Sequence, residues 1–175
     1  GRVAQQNLAK LRTTDSGIAD PAWSPNLGYL DLIFSLAVDG TNIFVGGGSD
    51  TSPYTNRLFK VQTLGAGNVD TSWNPQIGVG DPNFDYVLAL VVDGTNIFVG
   101  GAFDQVNGQP RRGVAKLSKS SAQLDLPWNP VGPLSAFPFS SITSLALAGT
   151  NLYVGGNFQG LGGLARQSLA RVNTT

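Results

Sequence analysis

Carboxylates, aromatic rings and one arginine pair are the side chains of this 175-residue chain with chemistry to offer. Asp31 and Asp85 hold one register, just ahead of two closely related apolar runs, and Ser140 takes that place a third time. Carboxylates so placed suit a cation or a sugar hydroxyl, or else the amides of their own loop. Asp81, Asn83 and Asp85 form Asp-x-Asn-x-Asp, an oxygen-rich spacing that a hard cation such as Ca²⁺ accepts. No Gly follows at the turn and the chain has no Glu, so this is not an EF-hand loop. Ca²⁺ is the only cofactor suggested. Tyr29, Phe84, Tyr86, Phe137 and Phe139 fall in the same stretches. Their rings suit stacking on a sugar or anchoring a protein partner, and equally suit plugging loops onto strand ends. Arg111 and Arg112, with Lys116 and Lys119, make the basic cluster; Arg111 recurs as Arg57 and Arg166, which favours a structural bond to a neighbouring loop.

The missing residue types exclude more than the present ones suggest. There is no Cys, His or Met, and all eleven acidic residues are Asp. Disulfides, thiolate metal sites and cysteine nucleophiles are excluded together, and so are imidazole bases and ligands. Much catalytic chemistry is thereby excluded, and no enzyme is expected. A formal net charge of zero offers nothing to a polyanion, so nucleic acid is not an expected partner. No stretch reaches the ~18 apolar residues of a membrane-spanning helix. The Gly-Gly pairs are not phosphate loops, since no Gly-Lys-Ser/Thr occurs. Asn173-Thr174-Thr175 fits the N-glycosylation pattern and is read as incidental.

What must position these residues is a repeat. Segments beginning at residues 34, 88 and 143 (FSLAVDGTNIFVGGGSD, LALVVDGTNIFVGGAFD and TSLALAGTNLYVGGNFQ) are near copies, 54 and then 55 residues apart. A second marker, L-x-[KR]-[LV] or a close variant, recurs at residues 8–11, 58–61, 114–117 and 169–172. A third, Asp-x-x-Trp-x-Pro, recurs at Asp20/Trp23, Asp70/Trp73 and Asp125/Trp128. Three markers with one period make an array of β units.

Each unit is expected to hold four antiparallel strands. The apolar run suits a first strand buried on both faces. Asp-Gly-Thr-Asn (Ala-Gly-Thr-Asn in the third copy) gives a tight turn into a second strand. That strand ends in Gly46-Gly47, Gly100-Gly101 or Gly155-Gly156, where missing side chains admit a close neighbour. The L-x-[KR]-[LV] segment is the third strand, and a short fourth should carry the Trp. The preceding Asp would close a turn or accept the indole proton. Such sheets bury their faces by stacking on one another, as β-propeller blades do.

The chain resembles the bacterial delta-60 repeat and is similar to kelch blades. The clearest match runs from Val99-Gly100-Gly101-Ala102-Phe103 through Asn107-Gly108-Gln109-Pro110-Arg111 to residues 114–117. The first copy lacks the Asn-Gly-x-Pro-Arg element, and the third alters it to GLGGLAR. The resemblance covers the whole chain; it implies propeller blades within larger secreted or surface-attached proteins and implies no reaction.

As one repeat domain, residues 1–25 would then close a preceding blade, 33–75 and 87–130 would be blades, and 142–175 a blade without its last strand. About thirteen strands are expected. Three blades cannot close a ring, so the rest of a longer chain or self-association is expected to complete it. The true N-terminus is expected to lie outside the sequence. Connections leading into each first strand differ between copies, and so do the loops between second and third strands, so these are the places free for function. The favoured reading is a non-catalytic binding or adhesion module of an extracellular protein, facing a glycan or a protein. A spacer repeat is the alternative. A fragment of a carbohydrate-active propeller enzyme is the third, since paired Asp can still do glycoside chemistry.

Overall fold

A computed structural model of the chain describes residues 7–14, 17–28, 30–48, 57–78, 85–131, 141–161 and 163–175. The described residues contain strands and turns and no helix. Strands β1 (Leu32–Asp39), β2 (Asn42–Gly48) and β3 (Leu58–Gln62) form the first antiparallel sheet. Strands β4 (Tyr86–Asp93) and β5 (Asn96–Ala102) follow, then a two-residue hairpin, β6 (Gln105–Val106) with β7 (Gln109–Pro110), and β8 (Val114–Ser118). The order β4-β5-β8 makes the second sheet. The third repeats it with β9 (Ser141–Ala148), β10 (Asn151–Asn157), the hairpin β11 (Gly160–Leu161) with β12 (Leu164–Ala165), and β13 (Leu169–Asn173). Each first strand starts one residue ahead of the expected boundary.

The sheets are three-stranded, not four-stranded. The expected fourth strand meets the third through a single bridge in each case: Leu11 with Ala19, Val61 with Val69, and Leu117 with Leu124. The reason lies in the Asp. Its carboxylate accepts the amides that a strand would need: Ala22 N–H at 3.1 Å for Asp20, Ser72 and Trp73 N–H at 3.1 and 3.3 Å for Asp70, and Trp128 N–H at 3.2 Å for Asp125. A side chain that satisfies its own following amides bends the backbone into a turn. Pairing therefore stops at the Asp, and the Trp lies beyond it. The Asp closes a turn; it does not take the indole proton.

The indole proton goes to the next sheet instead. Trp23 Nε1 donates to Gln62 O at 2.9 Å, Trp73 to Ser118 O at 3.0 Å, and Trp128 to Asn173 O at 2.8 Å. All three acceptors are the last residue of a third strand. Trp73 and Trp128 also lie edge-to-face on the aromatic residue of their own sheet's second strand, Phe44 at 5.0 Å and Phe98 at 5.2 Å between ring centroids. One buried ring thus fills the gap between two sheets and ties them by a hydrogen bond.

The apolar core is divided among the seams. One cluster joins Phe44, Leu58 and Trp73 to Val87, Ile97 and Leu117; another joins Phe98, Val114 and Trp128 to Ile142, Leu152 and Val172. The third packs Leu8, Trp23, Leu27 and Leu30 on Val45 and Val61. The Gly pairs serve these seams in two ways. A Cβ at Gly46 would overlap Val87 of the next sheet, and one at Gly100 would come within 2.8 Å of Ile142 Cγ2. The second Gly of each pair faces the carbonyl of its own first strand, where the register slips by one residue: Gly47 meets Leu32, Gly101 meets Tyr86, and Gly156 meets Ser141.

Candidate functional site

In the second repeat, two of the loops that differ between copies pair with each other. The chain after Trp73 reaches the hairpin of the second repeat: Ile77 bridges Val106, Gly78 N–H donates to Gln105 O at 2.9 Å, and Asn107 N–H to Gln76 O at 2.8 Å. Asn107 sits with Gly108 at the tip, at φ 51 and 72, a left-handed pair suited to Asn-Gly. Its side chain accepts from Gln76 N–H at 2.9 Å and donates to Ala122 O at 3.0 Å, so one amide ties two repeats together. The tight turns between first and second strands are held uniformly. Thr63, Lys119 and Thr174 N–H donate to Thr41, Thr95 and Thr150 O, each at 2.9 Å. In the second repeat the hairpin and the described part of the connection into β4 thus pair with each other, and the hairpin tip reaches the turn after β8.

Of the residues singled out there, Asp31, Asp85 and Tyr86 are described. Asp31 is exposed. Asp85 is 7% exposed, and its carboxyl group fills the space where a Cβ on Gly78 would stand. Tyr86 is half-buried: its ring lies edge-to-face on Phe34 at 5.9 Å and covers Gly48 of the preceding sheet. Asp85 and Tyr86 therefore belong to the seam between the first and second sheets, with Asp31 on the surface. Tyr29, Phe84, Phe137, Asp81 and Asn83, with Phe139 and Ser140, lie outside the described residues. The Ca²⁺ spacing is therefore represented by Asp85 alone. Among the described residues no group of three Asp side chains could hold a metal ion, and no helix is long and apolar enough to cross a membrane.

Arg111 is held by carbonyls. Its guanidinium, 5% exposed, donates to Pro110 O at 2.7 Å, Asp125 O at 3.1 Å and Leu126 O at 2.9 Å. Burial pulls its pKa below the usual value, against the opposing pull of Asp125. Arg57 is also buried, to 1%, but it does not hold Arg111's place. Its carbonyl accepts from Gly47 N–H as Gly113 O does from Gly101 N–H. The expected recurrence of Arg111 thus fails in the first repeat, where the loop lacks the Asn-Gly-x-Pro-Arg element. The cluster read as basic is in this part a clamp on the turn that carries the Trp.

An ion pair that the motifs did not declare completes that turn. Lys10 meets Asp20 at 3.3 Å, Lys60 meets Asp70 at 3.1 Å, and Lys116 meets Asp125 at 2.8 Å. The Ser72 hydroxyl first, then Lys60, holds the Asp70 carboxyl below its ordinary value; Lys116 first, then the Trp128 amide, does so for Asp125. For Asp20 the Ala22 amide leads. The signal was present as a Lys nine or ten residues ahead of each Asp.

Neither a family model nor a curated protein matches this chain.

Proposed function

We propose that the chain is a non-catalytic run of β-propeller-type repeats within an extracellular or cell-surface protein. It acts as a binding or adhesion module through the end that carries the variable loops. The observation that carries this reading is the contrast between the turns held alike and the connections that vary. In the turns, three equivalent threonine or lysine amides make the same bond. The connections into β1, β4 and β9 differ in length and sequence between copies and carry Tyr29, Asp31, Phe84 and Phe137. A scaffold held by invariant seams leaves such residues free to meet a glycan or a protein.

The resemblance to delta-60 repeats supports the surface location, as does a charged fraction of 13%. A spacer role is the second reading, favoured by the way each Trp ties its sheet to the next. A glycan-array screen of the protein, with and without a chelator, separates the two. Binding that falls at least tenfold in Tyr29→Ala or Asp31→Ala supports the module. Absence of binding by an assembly with every sheet covered supports the spacer. Tyr86→Ala is the wrong probe, because its ring fills the seam over Gly48.

A further inference from the structure

In the second repeat alone, the loop between second and third strands carries Asn followed by Gly, and Asn107-Gly108 is the only such pair in the chain. An asparagine in that setting can react with its own backbone. The nitrogen of the next residue loses its proton and bonds to the carboxamide carbon, and ammonia leaves, which closes a five-membered succinimide. Water opens that ring at either carbonyl, giving aspartate or β-linked isoaspartate. Glycine allows the attack because it has no Cβ beside the nitrogen. Asn42, Asn96 and Asn151, at the tight turns, are followed by Ile or Leu, whose side chains obstruct it.

The structure leaves the nucleophile free and holds the electrophile. Asn107 and Gly108 are both exposed to water. Gly108 N–H donates no hydrogen bond among the described residues, and a Cβ on Gly108 would meet nothing within 4 Å. The Asn107 carboxamide, in contrast, is gripped from both sides, by Gln76 N–H at 2.9 Å and Ala122 O at 3.0 Å. Ring closure consumes Nδ2 and swings Cγ onto the backbone, so both bonds must be given up first. The grip also steadies a strained turn. Gly17, Gly67 and Ala122 take φ 69, 77 and 59. Each stands one residue before the carbonyl that meets the third strand's last bonds, Ile18 O, Asn68 O and Gln123 O. Alanine alone carries a Cβ there, in a conformation that costs an L-residue energy, and that Cβ is buried in the cluster around Trp73.

We infer that Asn107-Gly108 is a site of self-modification by deamidation, gated by the two hydrogen bonds of the Asn107 side chain. While the carboxamide bridges Gln76 and Ala122 the pair is protected, and each local opening of the tip exposes Cγ to Gly108 N. Water is the only co-reactant, and the reaction quickens as pH rises because the Gly108 nitrogen must lose its proton. It runs one way. Either product presents a carboxylate, which can only accept, so Ala122 O loses its donor and faces a like charge. Isoaspartate also adds one carbon to the backbone of the hairpin tip. The connection into β4 and the strained turn at Ala122 are then released together. None of this rests on the proposed binding role.

The test incubates the intact 175-residue protein in mildly alkaline buffer beside a free peptide of residues 102–113. Acid digestion and mass spectrometry then locate each amide that has become an acid. The expected result is conversion at Asn107 ahead of every other asparagine, at least tenfold slower in the protein than in the peptide. Urea past the unfolding midpoint brings the protein to the peptide's rate. Below the midpoint, conversion and hydrogen exchange at the Gln76 amide, whose release is the gate, quicken together. The converted protein, and Asn107→Asp as its stand-in, exchange amides at residues 76–78 and 122–123 at least tenfold faster than fresh protein. Equal rates in folded protein and peptide overturn the inference, and so does earlier conversion at another asparagine. A conversion rate that stays level while Gln76 exchange quickens, or full protection at residues 76–78 after conversion, overturns it as well.

Discussion

An indole N–H at the seam between two sheets needs an acceptor, and in each repeat a carbonyl of the next sheet supplies it. Trp73→Phe keeps most of the ring and removes the donor to Ser118 O. It should cost about 1–3 kcal/mol, the price of a buried group left unpaired, and urea unfolding monitored by circular dichroism measures it. The glycines allow a sharper contrast. Gly46→Ala forces a Cβ into Val87, whereas Gly155→Ala meets only the Ser144 side chain of its own sheet. Overpacking a seam should cost on the order of 1–3 kcal/mol at Gly46 and well under that at Gly155. The Asp carboxyls give the molecule an acid sensitivity of known sign. Asp70 and Asp125 are held below the ordinary 3.8. Their contribution is therefore complete above about that pH and is lost as pH falls through the lower folded-state values. The urea midpoint should be level between pH 5 and 7, as a rough window, and should drop below about pH 4, less steeply in Asp125→Asn. The period of the Trp and the Asp was plain in the sequence. Which proton met which oxygen was not, because the acceptor of each indole lies 39 or 45 residues away.

At the scale of elements, the first two strands of every unit were legible because local chemistry dictates them. Gly40, Gly94 and Gly149 take φ 57, 46 and 57 in the turns between them, a conformation that favours glycine. The fourth strand was misjudged for an equally local reason: the Asp withdraws amides from pairing, so the segment turns after one bridge. The short hairpins between second and third strands were not foreseen either. Of these, β6–β7 is tied to its neighbours by backbone bonds to Gln76 and Gly78 and by the side chain of Asn107. Asn107→Ala leaves Gln76 N–H and Ala122 O without their partners and places alanine at φ 51. That substitution should destabilise by about 1–3 kcal/mol, while local hydrogen exchange at residues 76–78 should rise before global unfolding. Arg111→Lys should also destabilise, since one ammonium cannot span the carbonyls of Pro110, Asp125 and Leu126.

At the scale of the whole molecule, the chain is a one-dimensional stack in which each sheet holds the next, and stability passes along the seams. The sequence displayed that order through its markers. It also drew attention to the connections that bring Tyr29, Phe84 and Phe137, although copies of a template reveal where variation lies and not what it contacts. Asp85 and Tyr86 illustrate the difference, since both vary with the loops and yet pack at a seam. The central claim is that buried Trp side chains couple successive sheets. Hydrogen exchange of the three indole protons, read by nuclear magnetic resonance, tests it most directly. The account predicts that Trp23, Trp73 and Trp128 all exchange far more slowly than free indole, and that Trp73→Phe speeds exchange of backbone amides in β8 as well as in its own sheet. Indole protons that exchange at the rate of an unfolded chain would contradict it.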